Sequence, residues 1–281
     1  MKPPFGSVAL IGLGLIGSSI ARAVRATMPG VRLTGYDADA DVRARVRHLG
    51  LVDEVADSAA AAGEIAGHLR DDAIVSDVGS SKASVAAALA EALPGVSIVP
   101  AHPVAGTENS GPDAGRASLF AGRWCILTPA EDGRSEDAER VAAFWSGLGA
   151  KAELMDPRHH DLVLAVTSHL PHLIAYTIVH TASDLERVTE SEVIKYSAGG
   201  FRDFTRIAAS NPTMWRDIFL ANKEAVLDML QRFTEDLTFL QRAIRQDDGD
   251  TLHDLFTRTR AIRRSIVEQG QDVAKADFGR E

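Results

Sequence analysis

Two stretches of this 281-residue chain carry residues that could do chemistry together. One is Pro100-Ala101-His102-Pro103-Val104-Ala105-Gly106-Thr107-Glu108, which sets an imidazole in a short loop just past the apolar run Val96 to Val99. The other is Gly12-Leu13-Gly14-Leu15-Ile16-Gly17, a glycine-spaced turn suited to cradling phosphate. A histidine titrates near neutrality and can take a hydroxyl proton. A base in a loop downstream of a dinucleotide turn points to hydride chemistry. A lone histidine is more often structural, but Pro103 and Gly106 keep this ring out of a helix. Its expected place on the same sheet edge as the glycine turn favours catalysis.

Each glycine of the turn has a separate task. Gly12 permits the tight bend, Gly14 lets the backbone approach a pyrophosphate, and Gly17 allows close helix–strand packing. Gly14, Leu15 and Ile16 open the following helix, whose exposed N–H groups and dipole hold phosphate. Asp37 ends the next strand, twenty residues after Gly17. A carboxylate there accepts from a ribose 2′-hydroxyl and repels a 2′-phosphate, so NAD is the expected cofactor. Arg43 and Arg45 lie close enough in sequence to leave NADP tolerance open.

Three further motifs bear polar groups. Asp77-Val78-Gly79-Ser80-Ser81-Lys82 follows a strand-like run, where open α/β sheets bind ligands. Ser80 can place a hydroxyl near nicotinamide and substrate, and the reading in which Ser80 or Ser81 merely caps the next helix is equally good. Ser168-His169-Leu170-Pro171-His172 puts two imidazoles three residues apart, on similar faces of a helix. No third and fourth ligand accompanies them, so no metal is expected. Gly199-Gly200-Phe201-Arg202-Asp203-Phe204-Thr205-Arg206 carries two arginines that, if helical, share a face and can fork onto carboxylates.

The elements that must position these groups change character midway. Runs at Val8–Ile11, Val31–Tyr36, Ala73–Ser76, Ser97–Val99, Trp124–Thr128 and Ala152–Met155 read as strands. Helical stretches alternate with them at Ile16–Ala26, Asp41–Leu49 (opened by a capping aspartate), Lys82–Leu93 and Glu136–Leu148, with an alanine-rich helix over Ala56–Ala66. That alternation predicts an α/β, Rossmann-type doubly wound domain over 1–156. Beyond Asp156-Pro157 only helices are expected: Leu162–Thr181, broken or kinked at Pro171, then Glu190–Tyr196, Thr213–Ala243 and Thr251–Glu268. Residues 157–281 therefore read as an all-α domain.

Composition narrows the class. The net charge of −9 disfavours nucleic acid as a partner. The single cysteine, Cys125, lies in an apolar run and is expected to be inert. No secretory leader is visible and no apolar run is expected to reach the ~18 residues of a membrane span, so a cytoplasmic protein without membrane contact is expected.

With these motifs in place, the chain closely resembles the bacterial prephenate/arogenate (cyclohexadienyl) dehydrogenases of tyrosine biosynthesis. The resemblance rests on GLGLIG, DVGSSK, AHPVAGTENSG, HDLVLAVTSHLPH and GGFRDFTRIAASNPTMWRDIF, in that order over nearly the whole length. It implies oxidative decarboxylation of a cyclohexadienol: hydride passes to NAD⁺, CO₂ leaves the opposite ring carbon, and the ring becomes aromatic. On that resemblance His102 accepts the hydroxyl proton and Ser80 hydrogen-bonds near the hydroxyl and nicotinamide. Arg206 binds a substrate carboxylate, with Arg202 beside it, His172 is a pocket histidine, and Thr107 and Glu108 line or gate the site. The helical domain is implied to form a homodimer and the site to lie between domains. An acidic residue such as Glu108 or Asp203 could favour the amino group of arogenate, so prephenate and arogenate both stay open.

Two other classes share part of the plan. A 3-hydroxyacid dehydrogenase or imine reductase would usually place a catalytic lysine on a second-domain helix. Lys195 and Lys223 are the only lysines between Lys151 and Lys275, and neither has the glycine-rich setting. A non-catalytic NAD sensor would need neither the His102 loop nor the paired arginines.

Overall fold

The structure, a computed structural model, describes residues 3–56, 69–107, 109–186 and 198–268. The expected helices over Ala56–Ala66 and Glu190–Tyr196, and the candidate residue Glu108, lie wholly or almost wholly outside the described residues.

The N-terminal elements follow the alternation read from the chain. β1 (Ser7–Ile11), α1 (Leu15–Thr27) and β2 (Arg32–Tyr36) form a βαβ unit, with β1 and β2 parallel from Ser7 opposite Arg32 to Ile11 opposite Tyr36. α2 (Ala40–Leu49) starts where Asp39 accepts the Asp41 N–H at 2.8 Å. It stops at Gly50, whose φ of 60° suits a residue without Cβ. β3 (Glu54–Val55) extends this parallel ladder as β1-β2-β3.

β4 (Ile74–Val75) leads through the Asp77–Lys82 segment into α3 (Ala83–Ala92), and pairs in parallel with β5 (Ser97–Ile98). β6 (Ala101–Pro103), β7 (Trp124–Leu127) and β8 (Lys151–Leu154) form a third ladder, with α4 (Ser135–Gly147) joining the last two. Backbone bonds link the second and third ladders: the Ala101 N–H donates to the Asp77 carbonyl at 3.1 Å.

One expectation is corrected here: His102 is not in a loop but in the short strand β6, opposite Ile126. β6 runs antiparallel to β7, whereas the other strand pairs among the described residues are parallel. Pro103 faces Cys125 across the β6–β7 pair, and one more backbone bond follows it, from the Val104 N–H to the Trp124 carbonyl at 2.8 Å. The core under these strands is made by Leu13, Val24, Leu33, Phe120 and Leu127, all essentially sealed from water. Trp145 on α4 packs edge-on against Phe120 with ring centroids 5.2 Å apart.

Beyond residue 156 only helices occur among the described residues. Asp156 caps α5 (Pro157–Leu164) by accepting the His159 N–H at 2.9 Å, with Pro157 in the first turn. A π-turn over Ala165–His169 separates α5 from α6 (Leu170–Glu186). Pro171 accounts for this break, since it removes a helix donor and its ring crowds the preceding turn. After α7 (Gly199–Thr205) and a 3₁₀ turn at Arg206–Ala209 come α8 (Pro212–Ala221), α9 (Lys223–Arg245) and α10 (Gly249–Glu268).

The single helix expected over Thr213–Ala243 is in fact two. Asn222 ends α8 with φ −110° and ψ 34°, and its buried amide is committed to hydrogen bonds elsewhere, which no helical periodicity reveals. The chain packs as two compact units: one of Met1–His169 with Ala209–Lys223, the other of Leu170–Ala208 with Glu224–Glu281. α5 and α8 thus belong to the strand-containing unit.

The apolar-run expectation is also corrected. Pro157–Asp184 is long and apolar enough for a membrane span, with an 18-residue window of mean hydropathy 1.6. The same segment buries His160, Asp161 and His169, so its apolar character does not make it a uniform lipid-facing helix.

Candidate active site

The glycine turn has the expected form. Gly12 sits at φ +88°, and a Cβ on Gly17 would come within 2.0 Å of the Gly12 carbonyl oxygen, so only glycine fits at Gly17. A Cβ on Gly14 would meet nothing within 4 Å, which leaves space above the turn. Gly14 caps α1 without any side-chain acceptor, and the first ladder bond runs from Ser18 N–H to the Gly14 carbonyl. The N–H groups of Leu15, Ile16 and Gly17 therefore remain directed out of the helix start, as an anion site requires.

Asp37 closes the other side. Its Oδ2 accepts the Leu13 N–H at 2.7 Å and its Oδ1 the Asp39 N–H at 3.0 Å. Both bonds fix the carboxylate at the end of β2 while leaving lone pairs for a ribose hydroxyl. The two neighbouring arginines are already engaged. Arg45 forks onto Asp113 with contacts of 2.6 to 3.0 Å, and Arg43 donates to the carbonyls of Asp37 and Ala38 at 2.7 and 3.0 Å. The donor set fits a dinucleotide with an unsubstituted ribose.

His102 lies in the same unit and is 7% exposed. Its Nδ1 is 2.8 Å from Nε2 of His160, whose own Nδ1 is 2.9 Å from Oδ1 of Asp161. Burial pushes the His102 pKa down from 6.5 to about 3, helped by the neighbouring His160 and Lys82. The imidazole is thus held in its proton-accepting form.

Asp161 does a second job. Its Oδ1 accepts the Lys82 N–H at 2.8 Å and its Oδ2 the Ala83 N–H at 2.9 Å, so it caps α3 from the start of a distant helix. Burial pushes its pKa up, but the His160 donor and these two N–H groups outweigh that and hold it below the usual carboxylate range. No side chain of the Ser80–Lys82 segment caps α3, so of the two readings of Ser80 and Ser81 the capping one is not what the structure shows. Ser80, half-buried beyond β4, keeps its hydroxyl for other use.

Lys82 is fully buried. Its ammonium contacts the Asp77 carboxylate and donates to the Ala101 carbonyl at 2.8 Å, fixing the residue just before His102. Burial lowers its pKa against the opposing pull of Asp77. Asp77 also accepts the Gly79 N–H at 2.8 Å, so it serves as an internal acceptor. Asn222 donates to the Asp161 carbonyl at 2.8 Å and pairs with Nδ1 of the buried His169 at 3.1 Å.

None of Lys82, His160, Asp161 and Asn222 is assigned a role in the sequence reading, and His169 enters it only as half of an imidazole pair. Adjacent titratable residues inside an apolar helix, as at His160-Asp161, are the signal that could have found two of them. His169, the last residue of the π-turn, joins the buried network through Asn222. No cluster of three metal-ligating side chains exists among the described residues. Cys125 is buried and its thiol is pushed up to about 12, so it is inert as expected.

The remaining candidates fall in two places. Thr107, with Val104, Ala105, Gly106, Arg116 and Arg123, walls a cavity of about 390 Å³ beside the strand bearing His102. His172 on α6, Arg202 on α7 and Arg206 at the start of the 3₁₀ turn belong to the second unit, where His172 is half-buried and both arginines are exposed.

Comparison with known proteins agrees with this geometry. Residues 59–154 match the family described as prephenate dehydrogenase, nucleotide-binding domain, and residues 156–258 match prephenate dehydrogenase, dimerization domain. A cyclohexadienyl dehydrogenase of Zymomonas mobilis is 42% identical, covering 93% of this chain and 96% of that protein. A prephenate dehydrogenase of Bacillus subtilis is 33% identical, over 92% of this chain and 75% of that one. Among solved structures, prephenate dehydrogenase from Aquifex aeolicus in complex with hydroxyphenyl propionate and NAD⁺ superposes with a TM-score of 0.88 at 32% identity, covering 93% and 98% of the two chains. Synechocystis arogenate dehydrogenase gives 0.76 at 26% identity, covering 92% of this chain and 99% of that one. A nucleotide-binding α/β domain carrying a buried histidine, followed by helices matching the dimerisation domain, thus places this chain in the prephenate dehydrogenase family of oxidoreductases.

Proposed function

We propose that this enzyme oxidatively decarboxylates prephenate, arogenate or both, using NAD⁺, and so serves tyrosine biosynthesis. The observation that carries the reading is His102: a buried, neutral imidazole with one nitrogen engaged by His160, in the unit that also holds the glycine turn. When bound, NAD⁺ supplies the acceptor for the hydride of the ring carbon bearing the hydroxyl.

The chain's own residues do the rest. Nε2 of His102 accepts the hydroxyl proton as the carbon–oxygen bond gains carbonyl character, and CO₂ departs from the opposite ring carbon. Aromatisation provides much of the driving force, so positioning and one base suffice. Ser80 is assigned to the hydroxyl end, and Thr107 and Glu108 to the margin of the site. Arg206, Arg202 and His172 are assigned to the substrate's carboxylate-bearing end, where a guanidinium fork suits a carboxylate. Gly12, Gly14, Leu15, Ile16, Gly17 and Asp37 are assigned to the cofactor. The engagement of Arg43 and Arg45 supports NAD over NADP.

Functionally, residues 1–156 serve the cofactor and 157–281 the substrate and a homodimer. Support for the dimer comes from large exposed apolar side chains on α9 and α10, including Leu237, Phe239, Ile244, Phe256 and Ile262. A cytoplasmic location goes with a pair of small soluble reactants.

The test is reduced-cofactor formation with prephenate and arogenate, each with NAD⁺ and NADP⁺. Turnover of at least one cyclohexadienol with NAD⁺ is expected, and none with either substrate would overturn the reading.

A further inference from the structure

We propose that His160 and Asp161 are positioning residues that fix the tautomer of His102, so that its lone pair lies on Nε2. The proposal rests on the reading of His102 as the base. It follows from a directional chain of hydrogen bonds, all within one compact unit.

Asp161 is the fixed end. Its carboxylate accepts two backbone N–H groups of the α3 start, so it cannot rotate away without uncapping that helix. A carboxylate only accepts, so the 2.9 Å contact requires the proton of His160 to sit on Nδ1. A neutral imidazole has one N–H, which leaves Nε2 of His160 as an acceptor. The 2.8 Å contact from that nitrogen to Nδ1 of His102 then places the His102 proton on Nδ1. By elimination Nε2 of His102 carries the lone pair.

The arrangement is held rigidly. Asn222 donates to the Asp161 carbonyl, and Lys82 donates to the Ala101 carbonyl next to His102, at 2.8 Å in each case. His160 is fully buried, and its ring meets that of His102 edge-on at a 67° interplanar angle. The opposite tautomer would point two acceptor lone pairs at each other across that contact, away from water. When His102 takes a proton, the negative charge of Asp161, acting through His160, stabilises the imidazolium while the carboxylate stays ionised in its cap.

The experiment compares His160→Leu, His160→Gln and His102→Asn with wild type, by steady-state kinetics with prephenate and NAD⁺ and by ¹⁵N NMR of histidine-labelled enzyme. His102→Asn serves to assign the His102 signals. Wild type is expected to show a protonated Nδ1 and an unprotonated Nε2 at His102. His160→Leu is expected to reverse that pattern and to lower kcat by about 10²- to 10⁴-fold, the range for a base held wrongly or lost, with KM within about threefold. His160→Gln, whose amide oxygen can accept from Nδ1, is expected to recover kcat to within about tenfold of wild type. An unprotonated Nδ1 in wild type, or a His160→Leu enzyme that keeps both the tautomer and kcat, would overturn the proposal. Full turnover by His102→Asn would instead overturn the assignment of the base, and the nitrogen spectra would still decide the tautomer.

Discussion

Asp161 accepts the backbone N–H of Lys82 at 2.8 Å, across seventy-nine positions of sequence. One carboxylate therefore caps the helix that follows Ser80 and orients the histidine that faces His102. Helix start, base and orienting pair are locked by a single group, so none can drift without the others.

Removing that group should cost stability as well as activity. Asp161→Ala loses two cap acceptors and strands a buried His160 N–H. The expected loss is at least about 2 kcal/mol, the sum of a cap and a charged hydrogen bond at the lower end of their ranges. Urea denaturation would check it, and an unchanged midpoint with unchanged slope would contradict the described network.

The buried histidine sets an acid-side stability window. Because the His102 pKa falls from 6.5 to about 3 on folding, the unfolded chain binds more protons than the folded one between those values. Stability contributed by a neutral His102 is complete above about 6.5 and is lost as pH falls toward 3, at up to about 1.4 kcal/mol per pH unit. The lowered carboxylates, Asp161 among them, act only below their ordinary 3.8. His102→Asn should therefore flatten the fall between pH 6.5 and 4, measured by thermal unfolding across that range. Parallel curves for the two proteins would show that residue 102 does not lose a proton on burial.

Cofactor choice should follow Asp37. With Arg43 and Arg45 both engaged, the carboxylate is the group that opposes a 2′-phosphate. Asp37→Ser is expected to lower the NAD-over-NADP preference in kcat/KM by about tenfold or more, since it removes the ribose acceptor and the repulsive charge together. Unaltered preference would move the discrimination elsewhere.

Substrate anchoring should follow Arg206. Arg206→Ala is expected to raise KM for prephenate by roughly 30- to 150-fold, equivalent to the loss of about 2–3 kcal/mol from a charged pair, with a smaller effect on kcat. A KM within error of wild type would remove Arg206 from the site.

The legible parts of this protein were local. Glycine spacing, the terminal Asp37 and the strand–helix alternation each follow from short-range sterics and periodicity, and the structure shows them. Pro171 likewise announced the π-turn before it. What stayed hidden depends on contacts across long separations. Asn222 interrupts an otherwise continuous helical pattern because its amide is spent on Asp161 and His169, more than fifty residues away in sequence. Lys82 reads as the first residue of a helix, yet its side chain is sealed from water with Asp77 as its partner. Ser80 and Ser81 had the composition of a helix cap, and a distant carboxylate took that task. The His102 loop reading failed because Pro103 and Gly106 signal a turn, while the pairing of β6 with β7 depends on a strand more than twenty residues later.

The central claim is tested most directly by His102→Asn, comparing prephenate turnover with NAD⁺ and, separately, NAD⁺ binding by calorimetry. Loss of the base predicts a kcat lower by about 10²- to 10⁴-fold with NAD⁺ affinity within about twofold of wild type. A variant that turns over prephenate at the wild-type rate would show that residue 102 does not take the proton.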